Sequence, residues 1–171
     1  MNDKFAQVIE EVELVLAESA QLIETGPQFR IVHDLHVPGT NCRAGEEISV
    51  ILLVYRSRVY LVKLSLALRI LFDYLARHRL PQSAAQIEAG IRRDFFAARH
   101  GANARTRQKQ TRRVSRSGVK EYVKRIRQAL GMAFQEAGLN LDPTGVLVSE
   151  ETVGNEVIYR LKAAVDWTHK D

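Results

Sequence analysis

The sequence predicts an α+β fold, with a small antiparallel sheet ahead of a group of helices and a hairpin after them. Three observations predict it. Runs rich in β-branched residues crowd into 29–65, apolar residues at helical spacing govern 64–138, and 145–163 returns to strand character around Gly154-Asn155.

The first element is a helix over 3–25, DKFAQVIEEVELVLAESAQLIET, stopped by Gly26-Pro27. Phe5, Val8, Val12, Val15, Ser19 and Leu22 follow a coiled-coil seam, widened by Ile9, Leu16 and Ile23. Such a helix either pairs with a second copy, making a homodimer, or folds back on its own domain. The spacing leaves both open. Residues 1–28 are read as an extra N-terminal helix and a candidate dimerisation element, and 29–171 as one domain.

FRIVHDLHV (29–37) alternates as a strand does, and PGTNCRAGEE (38–47) is loop chemistry. ISVILLVY and RVYLVKLS (48–55 and 58–65) flank Arg56-Ser57 as an antiparallel hairpin. LSLALRILFDYLARHR (64–79) is an amphipathic helix with Leu68, Leu71, Phe72 and Leu75 on one face. Pro81 breaks the chain, Ser83 is placed to cap the next helix, and Ile87 and Ile91 give it an apolar side. Residues 97–114, AARHGANARTRQKQTRRV, lack an apolar period and read as a long basic loop. A third helix begins near Ser115 and extends to Gly138, with Gly131 a weak point inside it. GVLVSEETVGNEVIYRLKA (145–163) closes the pattern as two strands around a turn.

Charge is distributed unevenly along the chain. The net charge is +5, yet residues 1–28 carry −5, 29–98 carry +4, 99–127 carry +10 and 128–171 carry −4. So dense a basic block points to a polyanion partner. On a wheel of about 100° per residue, Val123, Ile126 and Leu130 fall within about 40° of Val119. Arg116, Arg127, Lys120 and Lys124 occupy the neighbouring arc, between about 60° and 140°. One face of this helix serves a core and the next is cationic, which suits a groove about 12 Å wide, the major groove of duplex DNA. Ser115 and Ser117 at its first turn add phosphate donors where the helix dipole favours an anion. Arg105, Arg107, Lys109, Arg112 and Arg113 extend the positive charge through the loop.

The order of strands, helix, short helix, loop, basic helix and hairpin is that of a winged helix-turn-helix, and 29–171 is read as one winged-helix DNA-binding domain. From Val59 to Ala163 the chain resembles the DNA-binding output domain of OmpR/PhoB-type response regulators. LSLALRILFDYLARHRLPQSAAQIEAGI is similar to that family's first two helices. SGVKEYVKRIRQAL shares the register of its recognition helix through Val119, Val123, Ile126, Arg127 and Leu130, and Tyr159-Arg160-Leu161 resembles the close of its wing. The resemblance implies a cytoplasmic regulator of transcription that binds double-stranded DNA, with RNA polymerase as a further partner at the segment between helices two and three. That segment is longer and more basic here, which suits phosphates. Where the family often has Arg-Thr-Val-Asp, this chain has Ser117-Gly118-Val119-Lys120, with Arg116 one place early, so base-reading roles do not transfer residue by residue. The hairpin turn is longer and acidic, with Glu150, Glu151 and Glu156, leaving Thr152 or Asn155 as its candidate DNA contacts, or no contact there at all. The first 58 residues are too few for a receiver domain and lack its doubly wound pattern, so control by phosphorylation is not expected.

Other chemistry is poorly served. Cys42 is the only cysteine, which precludes an internal disulfide and suits a reducing compartment. No apolar run reaches membrane-spanning length. His33 and His36 point to opposite faces of a strand and, with Cys42, lack a fourth ligand for zinc, so no metal is expected. No P-loop, GxGxxG or GxSxG is present, and His100 has no clustered carboxylates beside it, so neither cofactor nor catalysis is expected. The other readings of the same basic helix are a plasmid or phage replication or partition factor, and a module that docks an acidic protein.

Overall fold

The computed structural model describes residues 27–33, 50–97 and 114–169, together with Ala6, Ile9 and Glu10. It is a mixed α+β chain with small sheets. Two compact units divide it: Met1–Lys63, Met132–Leu139 and Ala163–Asp171 form the first, and Leu64–Gly131 with Asn140–Lys162 the second.

The first unit is built on a four-stranded sheet. β1 (Gln28–His33), β2 (Val50–Tyr55) and β3 (Arg58–Val62) pair antiparallel, and β7 (Ala164–His169) adds to β1 in parallel, giving the order β3-β2-β1-β7. The hairpin expected around Arg56-Ser57 is present, with both residues at positive φ, 49° and 61°, as a tight two-residue turn demands. The parallel strand is a departure from the all-antiparallel sheet that the sequence suggests. It comes from AVDWTH, which pairs with a segment far away in the chain.

β2 reads VILLVY, apolar without alternation, because both of its faces are covered. Val32, Val50, Leu52, Val54 and Val59 cluster on one face, and Ile9 and Leu61 pack against them. Ile9, a flank of the expected N-terminal seam, is thus turned to its own sheet. On the other face, the Phe29 ring lies 6.3 Å from that of Phe134 at an interplanar angle of 46°. Phe134 is buried. The helix carrying it stops at Gly138, whose φ of +66° allows Leu139 N–H to reach the Phe134 carbonyl at 2.8 Å and Gly138 N–H to reach that of Gln135 at 3.1 Å.

The second unit holds α1 (Leu66–Arg77), β4 (Gln82–Ser83), α2 (Ala84–Ala97), a 3-10 turn (Arg116–Gly118), α3 (Val119–Glu136, up to Gly131), α4 (Pro143–Val146), β5 (Leu147–Glu151) and β6 (Val157–Leu161). β4, β6 and β5 form a three-stranded antiparallel sheet, so the hairpin is joined by the short strand between α1 and α2. Leu71, Phe72 and Leu75 of α1, Ile87 and Ile91 of α2, and Val119, Val123, Ile126 and Leu130 of α3 are all buried, as their spacing predicts.

α2 begins on the residue that the sequence nominates. Ser83 Oγ accepts from Gln86 N–H at 3.2 Å while Gln86 Oε1 accepts from Ser83 N–H at 2.8 Å, a reciprocal capping box. Gly90 of α2 lies directly against the buried Tyr74 ring, and Tyr74 Oη donates to Gln82 Oε1 at 2.8 Å. α3 runs through Gly131 unbroken. The missing side chain leaves space in which Pro143 Cγ would sit 3.5 Å from a Cβ. α4 is a single turn too short to show an apolar period in the sequence: Asp142 caps it, accepting from Thr144 N–H at 2.9 Å, with Pro143 at its first position.

Candidate nucleic-acid interface

α3 is held by its apolar face. Val119, Ile126 and Leu130 are fully buried and Val123 nearly so, while Lys120 and Lys124 on the adjacent arc are exposed. Packing on one side therefore aims two ammonium groups outward from a rigid base. Tyr122 is half-buried at the edge of the apolar face.

Between this helix and the β5–β6 hairpin lies an open cleft of about 590 Å³. Ser117, Lys120, Glu121, Val123, Lys124 and Arg127 form its helical wall, and Ser149, Val157 and Tyr159 its hairpin wall. Three members of the expected cationic arc thus converge on one space. Burial pushes the Tyr159 hydroxyl pKa up, against the opposing influence of the Arg127 charge. Glu121, the one acidic residue of the basic block, is paired one helical turn on with Arg125 at 3.2 Å.

Arg127 differs from the two lysines. Its Nε donates to the Leu147 carbonyl at 2.8 Å and its Nη2 to Ser149 Oγ at 3.0 Å. The fork of the guanidinium is turned to β5, so this side chain fastens the hairpin to α3 while contributing its charge to the cleft. Nothing in a helical wheel separates that role from the phosphate contact expected of it.

Arg116 also departs from the wheel. It lies in a 3-10 turn, where each residue advances about 120° instead of 100°. Its side chain is exposed at the entry to α3 and outside the cleft lining. Its backbone N–H is bonded to Glu88 Oε2 at 2.7 Å. Ser115 and Ser117 lie beside it with their Oγ atoms 3.3 Å apart, and Ser115 makes no capping bond with its side chain.

At the far end of the hairpin, Thr152 and Asn155 build the turn. Asn155 takes φ +59°, its N–H reaches the Thr152 carbonyl at 2.9 Å, and Thr152 Oγ1 accepts from Glu156 N–H at 3.2 Å. Thr152 thus spends an acceptor on the turn, and Asn155 is there for its backbone. Glu150, Glu151 and Glu156 are exposed around them, and Val153 at the tip is fully exposed.

Arg105, Arg107, Lys109, Arg112 and Arg113 lie outside the described residues, as do His36, Cys42 and His100. Among the described residues, no group of three or more His, Cys, Asp or Glu is gathered as a metal site would need, and no helix is long and apolar enough to cross a membrane. Comparison of the chain with protein-family models, with curated proteins and with solved structures gives no match.

Proposed function

We propose that this chain is a sequence-specific double-stranded DNA-binding protein of the winged-helix type, acting without catalysis as a regulator of transcription. One observation carries the reading: Lys120 and Lys124 stand exposed on a helix whose adjacent face is buried, along a cleft completed by a hairpin. A duplex backbone is a line of negative charge, and a rigid row of cations beside a concavity complements it. The element order supports the same reading, since the hairpin pairs with the short strand that separates the first two helices. So does the sequence, which concentrates +10 in residues 99–127.

Roles divide by geometry. Lys120 and Lys124 meet phosphates as mobile point charges, and Ser117 adds a hydroxyl donor. Arg116, exposed where α3 begins, is the candidate for a bidentate contact to guanine. Arg127 holds the hairpin. The carboxylates at the hairpin end repel phosphate, so the duplex engages the helical wall and not the tip. Two copies on two half-sites complete the proposal.

The test is equilibrium binding to random duplex and to selected duplex over a range of salt. With eight phosphates neutralised, log K falls against log salt with a slope of about −7. Binding that is flat in salt, or equal for every sequence in a large excess of competitor, would remove the reading.

A further inference from the structure

The first amide groups of a helical run have no partner within it and must find one elsewhere. The usual solution is the side chain of the N-cap residue. Ser115 holds that position at the turn leading into α3, yet its side chain makes no such bond. The partner comes instead from α2: Glu88, 28 residues earlier, accepts Arg116 N–H on Oε2 at 2.7 Å. Its side chain is 19% exposed, and Oε1 lies 3.7 Å from Arg92 Nη1 one turn along α2. A charged acceptor at this distance makes a strong bond, and a carboxylate is also favoured by the dipole at a helix start. Val114, two residues before Arg116, is fully buried.

We propose that Glu88 is the positioning residue of the DNA-reading helix: by holding Arg116 through its backbone, it sets where that guanidinium stands. The proposal rests on the DNA-binding reading above. A base contact by a planar, bidentate group depends on the placement of its backbone, whereas a lysine on a phosphate tolerates displacement through its flexible stem. Glu88 therefore governs discrimination between sequences and leaves the electrostatic affinity shared by all sequences nearly untouched. Reach fixes where Arg116 stands, and the charge adds to the strength of the bond.

Two mild variants separate those properties. Glu88→Gln keeps the reach and an acceptor oxygen but removes the charge. Glu88→Asp keeps the charge but withdraws the oxygen by one methylene. Both are compared with wild type by the affinity ratio of selected to random duplex and by NMR amide exchange at Arg116. Glu88→Asp is expected to lower the ratio about tenfold, equivalent to about 1.4 kcal/mol, and to speed exchange at Arg116. Glu88→Gln is expected to hold the ratio within about twofold, about 0.4 kcal/mol, and to keep the amide protected. An unchanged ratio in Glu88→Asp overturns the proposal, and so does a loss in Glu88→Gln as large as that in Glu88→Asp. If wild-type protein binds no duplex even at about 50 mM salt, the functional reading fails instead, and exchange at Arg116 alone then decides whether Glu88 positions the helix.

Discussion

Arg127 is bonded to Leu147: the guanidinium Nε donates to the main-chain carbonyl over 2.8 Å, joining α3 to the first residue of β5. A second donor of the same group reaches Ser149 Oγ, two residues along the strand. The hairpin is therefore held to the helix by directional bonds as well as by apolar contact.

Arg127→Lys retains the charge in the cleft but cannot supply two donors in that fixed fork. The expected result is a loss of about 1–2 kcal/mol in unfolding free energy, at the low end for bonds made by charged groups because a lysine can keep one of the two. Urea denaturation measures it. A variant as stable as wild type would show that the hairpin is held without the guanidinium.

Lys124→Ala tests the cationic wall. Binding to every duplex should weaken by a similar factor, and the salt slope should shrink by about one unit. Arg116→Ala should act differently, costing roughly 1–3 kcal/mol on the preferred site while relaxing the choice at one base position. Titration of both variants against a set of single-base substitutions distinguishes the two patterns. Equal behaviour would deny Arg116 its reading role.

Two glycines should respond with opposite sign. At Gly131 an added methyl would meet Pro143 at an ordinary 3.5 Å, so Gly131→Ala should stabilise by about 0.5–1 kcal/mol through helix propensity alone. At Gly90 the methyl would collide with the buried Tyr74 ring, which is also bonded to Gln82. Gly90→Ala should cost about 1–3 kcal/mol by overpacking. Thermal melts of the pair decide it, and a rise in melting temperature for Gly90→Ala would contradict the packing described.

Acid should weaken the turn before β5. The backbone bond from Thr144 holds the Asp142 pKa below its ordinary value, with the Arg127 charge adding to the effect. A carboxylate whose pKa is lower folded than unfolded contributes stability above the unfolded pKa and loses it as pH falls through the folded one. The contribution of Asp142 should thus be intact at neutral pH and fade below about pH 4. Asp142→Asn keeps a capping oxygen without the titration, so its stability should fall less steeply over that range. Parallel acid profiles for the two proteins would count against the cap as the source.

Residues whose fate depends on near neighbours were legible in the sequence. The α3 face, the Ser83 cap, the hairpin at Arg56-Ser57 and the turn at Asn155 each follow from spacing or from a local backbone demand. Three features depended on partners distant in sequence and left no local trace. Glu88 reads as an ordinary surface residue of a helix until Arg116 arrives beside it. Arg127 has the wheel angle of its cationic neighbours, and only β5 reveals where its donors go. β7 alternates too briefly to announce itself, and its pairing with β1 is set by tertiary contact.

That last pairing has a consequence for how the protein is made. β1 leaves the ribosome early, while the strand that completes its other side is translated only after the whole second unit. Until β7 is made, no described strand covers that side of β1, and an uncovered edge is the kind of surface that recruits stray strands from other chains. A nascent chain stalled before Ala164 is therefore the form most in need of a chaperone.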